Sequence, residues 1–430
     1  MQSYMIFCSF EVGGLLYKMA EILNKHGIKT YYASVAWDAK GHDSAMFHYG
    51  KIKEDWDISD LFYKGLWNHK KNVSILKQIK SKYDIRYCFA TGHRAHILKK
   101  ANIDYNYWSY GSDLDQCCRK KVHVKGISFW KRVLDYFYSA VVFLRDLKMF
   151  VPKEYFFIKK AMVYMYLLLS FCREQKKSIC CADSLMIASY QSENYSRLCL
   201  GKRLFFIPHL ANVMDYTELS KIKNESKRKV SKKIGTDIFF FSSTRHFWYG
   251  KHNLFTDYKG NDIILYSFMH YLKIAENKNS KLILIRKGPD VAESKRLIEY
   301  LKINDNIVWL DEMKRDELSA YYQGASACLG QFGTPALTFT AVEPLSNGTS
   351  CVSFFGDNKP EVPFYNKIPP VLNSKDPYKI ADFMHKVVSE PEYALKLSYE
   401  SWLWAKENCS EERFVETFLR EMQFRNEGKI

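Results

Sequence analysis

The chain has no Cys-x-x-Cys pair. Its 11 cysteines are odd in number and include two adjacent pairs, Cys117-Cys118 and Cys180-Cys181. That spacing excludes a paired-cysteine zinc module and a disulfide framework. The thiols are therefore expected to be reduced and the protein cytosolic. Long apolar runs are also missing. The longest, AMVYMYLLLSF at 161–171, falls short of the roughly 20 residues a bilayer span needs. The opening MQSYMIFCSFEVGG carries no basic leader and no small-residue cleavage site, so no signal peptide is expected. No internal repeat stands out.

Positive charge, by contrast, is in excess. The formal net charge is +17, and the segment from Arg119 to Lys177 holds fourteen Lys or Arg against four Asp or Glu. A surplus of this kind attracts anions: nucleic acid, anionic lipid or a phosphorylated substrate. The 430 residues are 47% hydrophobic and 26% charged. That is too long for one ordinary core and predicts two folded domains. The 30 Tyr and 29 Phe suit both cores and membrane interfaces, and choose between them in neither direction.

Short apolar runs alternate with segments of helical period. YMIFCSF predicts a first buried strand. LLYKMAEILNKHGI follows, with Leu15, Leu16, Met19, Ile22 and Leu23 on one helical face and a stop at Gly27; KTYYASV is the next strand. This βαβ opening predicts a parallel sheet covered on both faces. IRYCFA, CADSLMIASY and RLFFIP continue it. A second series starts near 236: DIFFFSS, KLILIR, NIVWL and SACLGQF as strands, with DIILYSFMHYLKIAE, ESKRLIEYLKI and RDELSAYYQGA as helices. KIKNESKRKVSKKIG, 221–235, looks like a charged surface linker between the two. AVEPLSNGTSCVSFF predicts a helix ending at Asn347-Gly348, then a strand. The tail from Pro391 predicts two helices, whose Trp402, Trp404, Phe414 and Phe418 would pack by returning across the first domain. The expected fold is α/β with two Rossmann-like doubly wound domains facing a cleft. They are assigned to 1–210 and 211–395, with 396–430 crossing back. Ligands of such sheets collect outside the carboxyl ends of the strands.

Three features point at phosphate. Gly13-Gly14 lies between the first strand and first helix, where an anion can approach backbone amides; a plain tight turn is the alternative. Arg245 sits just past a strand end and Lys259 just before a helix, a fork and a point charge suited to a diphosphate. Two solvated loop cations are the plainer alternative. The loop GQFGTPALTFT precedes a helix, and its amides, with Thr338 and Thr340, could cradle a phosphate. Glu343 follows. It could accept two ribose hydroxyls, or simply complement the helix macrodipole.

AVEPLSNGTSCVSFF resembles the ALEAMACGTPVI signature of retaining glycosyltransferases of the GT-B fold, in the large family numbered four. LILIRKGPD resembles that family's LLIVGDGP strand and turn. NIVWLDEMKRDELSAYYQGASACLG, CADSLMIASYQSENYSRL and the GSD turn in IDYNYWSYGSDLD resemble further pieces, in the family's order. The resemblance implies transfer of a sugar from a nucleotide-sugar donor. It implies that Glu343 holds the ribose and that Arg245 and Lys259 grip the diphosphate. Gly13 and Gly14 lie near donor and acceptor, His93 contacts the donor sugar, with His96 as the competing assignment and an ordinary surface or capping histidine as the plainer alternative for either, and Asp113 serves the acceptor. The family's other glutamate, eight residues before Glu343, is Pro335 here, which puts donor-sugar recognition and activity in question. No DxD motif stands out at a strand end, so neither a metal nor another cofactor is expected. FWKRVLDYFYSAVVFLRDLKMF interleaves basic and apolar groups, which predicts peripheral binding to an anionic inner leaflet and a lipid-linked or surface-glycan acceptor. The competing readings are a non-catalytic nucleotide-sugar binder and a basic nucleic-acid-binding protein; for the latter no zinc module or RNP-like motif is found.

Overall fold

The computed structural model describes residues 3–9, 14–35, 54–63, 69–109, 172–186, 201–205, 207–249, 258–276, 278–333, 335–356, 365 and 367–426. The chain divides into two compact units, Met1–Phe206 and Ile207–Lys429. Gly13, Asp113 and nearly all of the basic segment 119–177 lie outside the described residues.

In the first unit the described elements are β1 (Ser3–Cys8), α1 (Leu15–Lys25), β2 (Thr30–Ser34), α2 (His69–Lys82), β3 (Ile85–Thr91), α3 (Ile97–Lys100), β4 (Asp104–Trp108), α4 (Cys172–Cys181), β5 (Ser184–Met186) and β6 (Arg203–Leu204). The strands form one parallel sheet in the order β2-β1-β3-β4-β5-β6. Strand order reverses between β1 and β3. Helix α1 buries Leu15, Leu16, Met19, Ile22 and Leu23, the face its period predicts, and Gly27 at φ +75° ends it. Two segments differ from expectation. DYNYW, read only as the approach to a turn, is the buried strand β4. Cys181 closes α4 rather than opening a strand.

The second unit comprises α5 (Tyr216–Ile234), β7 (Phe239–Ser242), α6 (Asn261–Ile274), β8 (Lys281–Ile285), α7 (Val291–Tyr300), β9 (Ile307–Leu310), α8 (Arg315–Gly324), β10 (Ala327–Leu329), α9 (Phe339–Ser346), β11 (Cys351–Ser353), β12 (Leu372–Asn373), α10 (Pro377–Ser389), α11 (Pro391–Cys409) and α12 (Glu411–Asn426). Its sheet is also parallel, ordered β12-β11-β10-β7-β8-β9. Counted from β7, this is the 3-2-1-4-5-6 winding, with its switch point between β7 and β10.

The triplet Phe239-Phe240-Phe241 shows why both faces must be covered. Successive side chains alternate across a strand. Phe240 packs with Ile264, Phe268 and Tyr271 of α6. Phe239 and Phe241 pack with Val230 of α5 and Tyr321 and Tyr322 of α8. Each ring is fully buried, worth roughly 1.5–3 kcal/mol apiece against exposure.

The predicted linker is a helix. Within α5, Leu219, Ser226 and Val230 turn inward at helical spacing, while the lysines other than the part-buried Lys223 occupy the solvent face. Asp215 caps it by accepting from the Thr217 and Glu218 amides, and Gly235 ends it in the left-handed conformation. Charge density hid an amphipathic element.

Trp402 and Trp404 find partners inside the second unit. Trp402 lies 4.9 Å from Tyr216, the rings tilted by 49°, and donates its indole N–H to the Met214 carbonyl. Trp404 lies 5.0 Å from Tyr365 and donates to the Lys367 carbonyl.

Candidate functional site

Three of the residues singled out in the sequence gather at the β7/β10 switch point of the second unit. Arg245 is in the loop that leaves β7, and Lys259 immediately precedes α6. Glu343 is on α9, which follows β10. The ends of the two central strands are tied directly, Thr244 Oγ1 donating to the Gly330 carbonyl at 3.1 Å.

The Arg245 loop is braced from several sides. The His246 amide donates to Lys287 O, and the Asp290 amide donates back to His246 O. Asp290 Oδ2 accepts from the amides of Trp248 and Tyr249 at 2.8 and 3.0 Å. Buried Asn261 accepts from the Phe247 amide. His246 is fully buried, with Nδ1 2.7 Å from Ser294 Oγ, which also accepts from the Trp248 indole. Burial lowers the His246 pKa to about 4, so the ring is neutral at pH 7. Next to this packed residue, Arg245 is exposed, its guanidinium carbon 5.6 Å from the Phe247 ring centre. A braced stretch of backbone, residues 246–249, thus adjoins an exposed cation.

Lys259 is joined to that loop through the backbone, its amide donating to Phe247 O at 2.8 Å, while its own carbonyl accepts from the Phe332 amide. The segment that carries it lies flat against GQFG. A Cβ on Gly333 would stand 1.9 Å from the Tyr258 carbonyl oxygen, so only glycine permits the approach. Beyond Lys259, Tyr258 donates to Asp262, whose pKa burial raises.

Glu343 is half-buried in the second turn of α9, and no acid occupies the first turn. The macrodipole explanation therefore weakens, since that effect fades beyond the first turn. Instead Glu343 Oε2 lies 2.7 Å from the hydroxyl of Tyr322, which is also 2.7 Å from Ser243 Oγ. Asn347 holds the same turn by donating to the Glu343 carbonyl. Neither Tyr322 nor Ser243 was legible as a site residue: YYQGA shows only helical period, and nothing local tells where the hydroxyl ends. Thr338 caps α9 through its carbonyl, its hydroxyl 2.9 Å from that of Thr340 rather than on an amide. Pro335 is exposed.

In the first unit, Gly14 and His93 follow β1 and β3, the strands at that sheet's own switch point. Gly14 begins α1 at φ 71°, a conformation that penalises any side chain. The Ser9 amide donates to Thr91 O, and Ser9 Oγ accepts from the Arg94 amide, so the His93 turn is fastened to the end of β1. His93 is half-buried. His96 is buried, with Nδ1 3.2 Å from the His93 carbonyl and 3.3 Å from Ser178 Oγ, and burial lowers its pKa to about 4. His96 is a buried, neutral residue; His93 is partly exposed, with its Nε2 buried. Among the described residues no three His, Cys, Asp or Glu gather as metal ligands, and no helix is long and apolar enough to cross a membrane.

Neither a family model nor a curated protein sequence matches the chain. Solved structures do. A sucrose-phosphate synthase from Thermosynechococcus elongatus is 12% identical with a TM-score of 0.57, over 99% of both chains. A UDP-forming α,α-trehalose-phosphate synthase from Burkholderia xenovorans is 12% identical with a TM-score of 0.59, over 98% of this chain and 99% of that one. Anabaena HepE, solved in complex with UDP-glucose, is 10% identical with a TM-score of 0.55, over 98% and 99%. At these identities the likeness is one of fold: two parallel sheets with flanking helices, the GT-B fold.

Proposed function

We propose that the protein is a glycosyltransferase that moves a sugar from a nucleoside-diphosphate sugar to a lipid-linked or surface-glycan acceptor, with retention at the anomeric carbon. The observation that carries this reading is the convergence of Arg245, Lys259 and Glu343 on one switch point, braced by the Lys259 amide donating to the Phe247 carbonyl and by the Ser243–Tyr322–Glu343 chain of contacts. In sugar transfer the bond from anomeric carbon to phosphate oxygen breaks while an acceptor oxygen bonds to that carbon. Positive charge develops on the sugar and negative charge on the leaving diphosphate. Arg245 and Lys259 would stabilise the growing negative charge, and the hydrogen-bonded backbone that carries them would limit the reorganisation needed during reaction. Glu343 would hold the ribose and so set the register of the phosphates. His93 would meet the donor sugar, Gly13 and Gly14 the donor near the acceptor, and Asp113 the acceptor. No metal is assigned a role. The structural neighbour that holds UDP-glucose is consistent with a uridine donor.

The basic segment 119–177 supports a second element of the proposal, peripheral attachment to the anionic inner face of a membrane, where a lipid-linked acceptor would be at hand. A specific observation also favours a competing reading: Pro335 stands where the related glutamate would contact sugar hydroxyls, which suits a nucleotide-sugar binder without turnover.

The test is thermal unfolding with UDP, GDP, ADP and CMP, since a ligand bound only by the native state raises stability by about 2.7 kcal/mol at one hundred times its Kd. One diphosphate should raise the melting temperature; no response to any of them overturns the reading. Binding without hydrolysis or transfer across a panel of its sugar conjugates would select the non-catalytic alternative.

A further inference from the structure

We infer that Tyr322 is a positioning residue for Glu343: its phenol fixes the orientation of that carboxylate and thereby the recognition of a ribose diol. The inference rests on the reading that Glu343 holds the ribose, and deepens it.

Tyr322 is buried at the inner face of α8, its ring 5.1 Å from Phe241 in an edge-on contact. Its carbonyl accepts from Thr349 Oγ1 at 2.9 Å, and its neighbour Gln323 donates to Asn347 Oδ1 at 3.0 Å. The residue is therefore held at ring and backbone, and on the backbone side the holding groups follow α9, the helix that carries Glu343. Its hydroxyl has a single proton and two oxygen neighbours, Glu343 Oε2 and Ser243 Oγ, both at 2.7 Å. A carboxylate only accepts, whereas a serine hydroxyl both donates and accepts. The phenol proton therefore goes to Glu343, and the Ser243 hydroxyl donates to the phenol oxygen. Burial, and the nearby Glu343 charge after it, raise the Tyr322 pKa well above its ordinary value, so the proton stays in place.

The consequence is directional. A glutamate side chain has several rotatable bonds, and ordering them only when ligand arrives costs entropy. A carboxylate held beforehand through one oxygen has fewer orientations left to lose. Ser243 could satisfy a core tyrosine by itself. The second contact reaches instead to the one acid on α9, and it connects that acid to the loop that two residues later carries Arg245. One buried phenol thus sets the ribose contact and is tied to the strand end that leads to Arg245.

The experiment compares binding of a ribonucleoside diphosphate with its 2′,3′-dideoxy counterpart, using whichever of UDP, GDP and ADP the full chain binds most tightly. The native chain should prefer the ribose form by about tenfold, the worth of one good hydrogen bond to a charged group. Tyr322→Phe should cut that preference to about threefold or less while pyrophosphate competition is unchanged. A packing role alone would weaken both nucleotides alike and leave their ratio intact, so an unchanged ratio in Tyr322→Phe overturns the inference. If that variant does not fold, Ser243→Ala carries the test: it removes the donor that directs the phenol proton, and must lower the same ratio. Glu343→Ala separates the two levels. If it abolishes the preference and Tyr322→Phe leaves it whole, only the role of Tyr322 fails. If Glu343→Ala keeps the preference, or no diphosphate binds at all, the ribose reading fails and this inference with it.

Discussion

The Tyr322 hydroxyl lies 2.7 Å from Glu343 Oε2, across 21 positions of sequence. That contact links α8 to α9 at the mouth of the sheet and, through Ser243, reaches the loop of Arg245. The acid that the sequence singles out is thereby hydrogen-bonded, through Tyr322, to the residue two positions before the cation.

If Arg245 and Lys259 neutralise the departing diphosphate, removing either should cost about 2.7–4 kcal/mol of transition-state stabilisation. Arg245→Ala and Lys259→Ala should each lower kcat by roughly 100-fold or more, measured with the sugar conjugate of the nucleotide that binds. Near-normal turnover in both variants would remove the cationic pair from the mechanism.

Gly333→Ala should damage the site without touching a charged residue. The new methyl would meet the Tyr258 carbonyl at 1.9 Å, so the strip bearing Lys259 must move. Overpacking of this kind costs about 1–3 kcal/mol. Melting temperature and nucleotide affinity should both fall, and a variant with native values for both would show that the strip does not need its close approach to GQFG.

Acid should destabilise the fold through His96 and His246. Both are buried, with folded pKa values lowered to about 4 from 6.5. Between those values the unfolded chain binds protons that the native chain does not, so stability is full above about pH 6.5 and falls as pH drops toward 4. At pH 5, His246→Gln should reduce proton uptake on unfolding by about one proton. The readout is the slope of unfolding free energy against pH, and a slope equal to that of the native chain contradicts the assignment.

Lys223 should act in the alkaline range. Its ammonium donates to the Gly348 carbonyl and to Ser398 Oγ at 3.0 Å, and burial lowers its pKa to about 8 from 10.5. The native state disfavours the charged form, so this residue destabilises below pH 8 and the penalty is relieved as pH rises toward 10.5. Buried tyrosines and thiols with raised pKa values oppose the trend, so the difference between native chain and Lys223→Met is the quantity to follow. By urea denaturation, the native chain should gain on the variant from pH 7.5 to 9.5; a constant difference would refute the shift.

Membrane attachment makes a separate prediction. The full chain should sediment with vesicles containing anionic lipid and stay in solution with neutral ones, and added salt should release it, because surface attraction decays within a Debye length. Equal, negligible binding to both vesicle types ends that part of the proposal.

Much of the architecture was legible because its signals are local. Period in α1, the stops at Gly27 and Gly348, the apolar strands β7 and β8 and the two terminal helices all follow from neighbouring residues. Charge misled at α5, where seven-residue spacing from Leu219 to Ser226 mattered more than the lysines between. Strand β4 was missed because DYNYW mixes polar residues into a strand that is buried in a sheet.

The sequence by itself determined two alternating α/β series and placed cations and an acid after the strands of the second one. Only the tertiary structure decided that β7 lies beside β10, since strand order depends on contacts between segments far apart in the chain. That one adjacency brings Arg245, Lys259 and Glu343 to a common switch point and lets Tyr322 bridge Ser243 and Glu343. Local periodicity fixes which face a side chain takes; it carries no information about which distant atom its hydroxyl will meet.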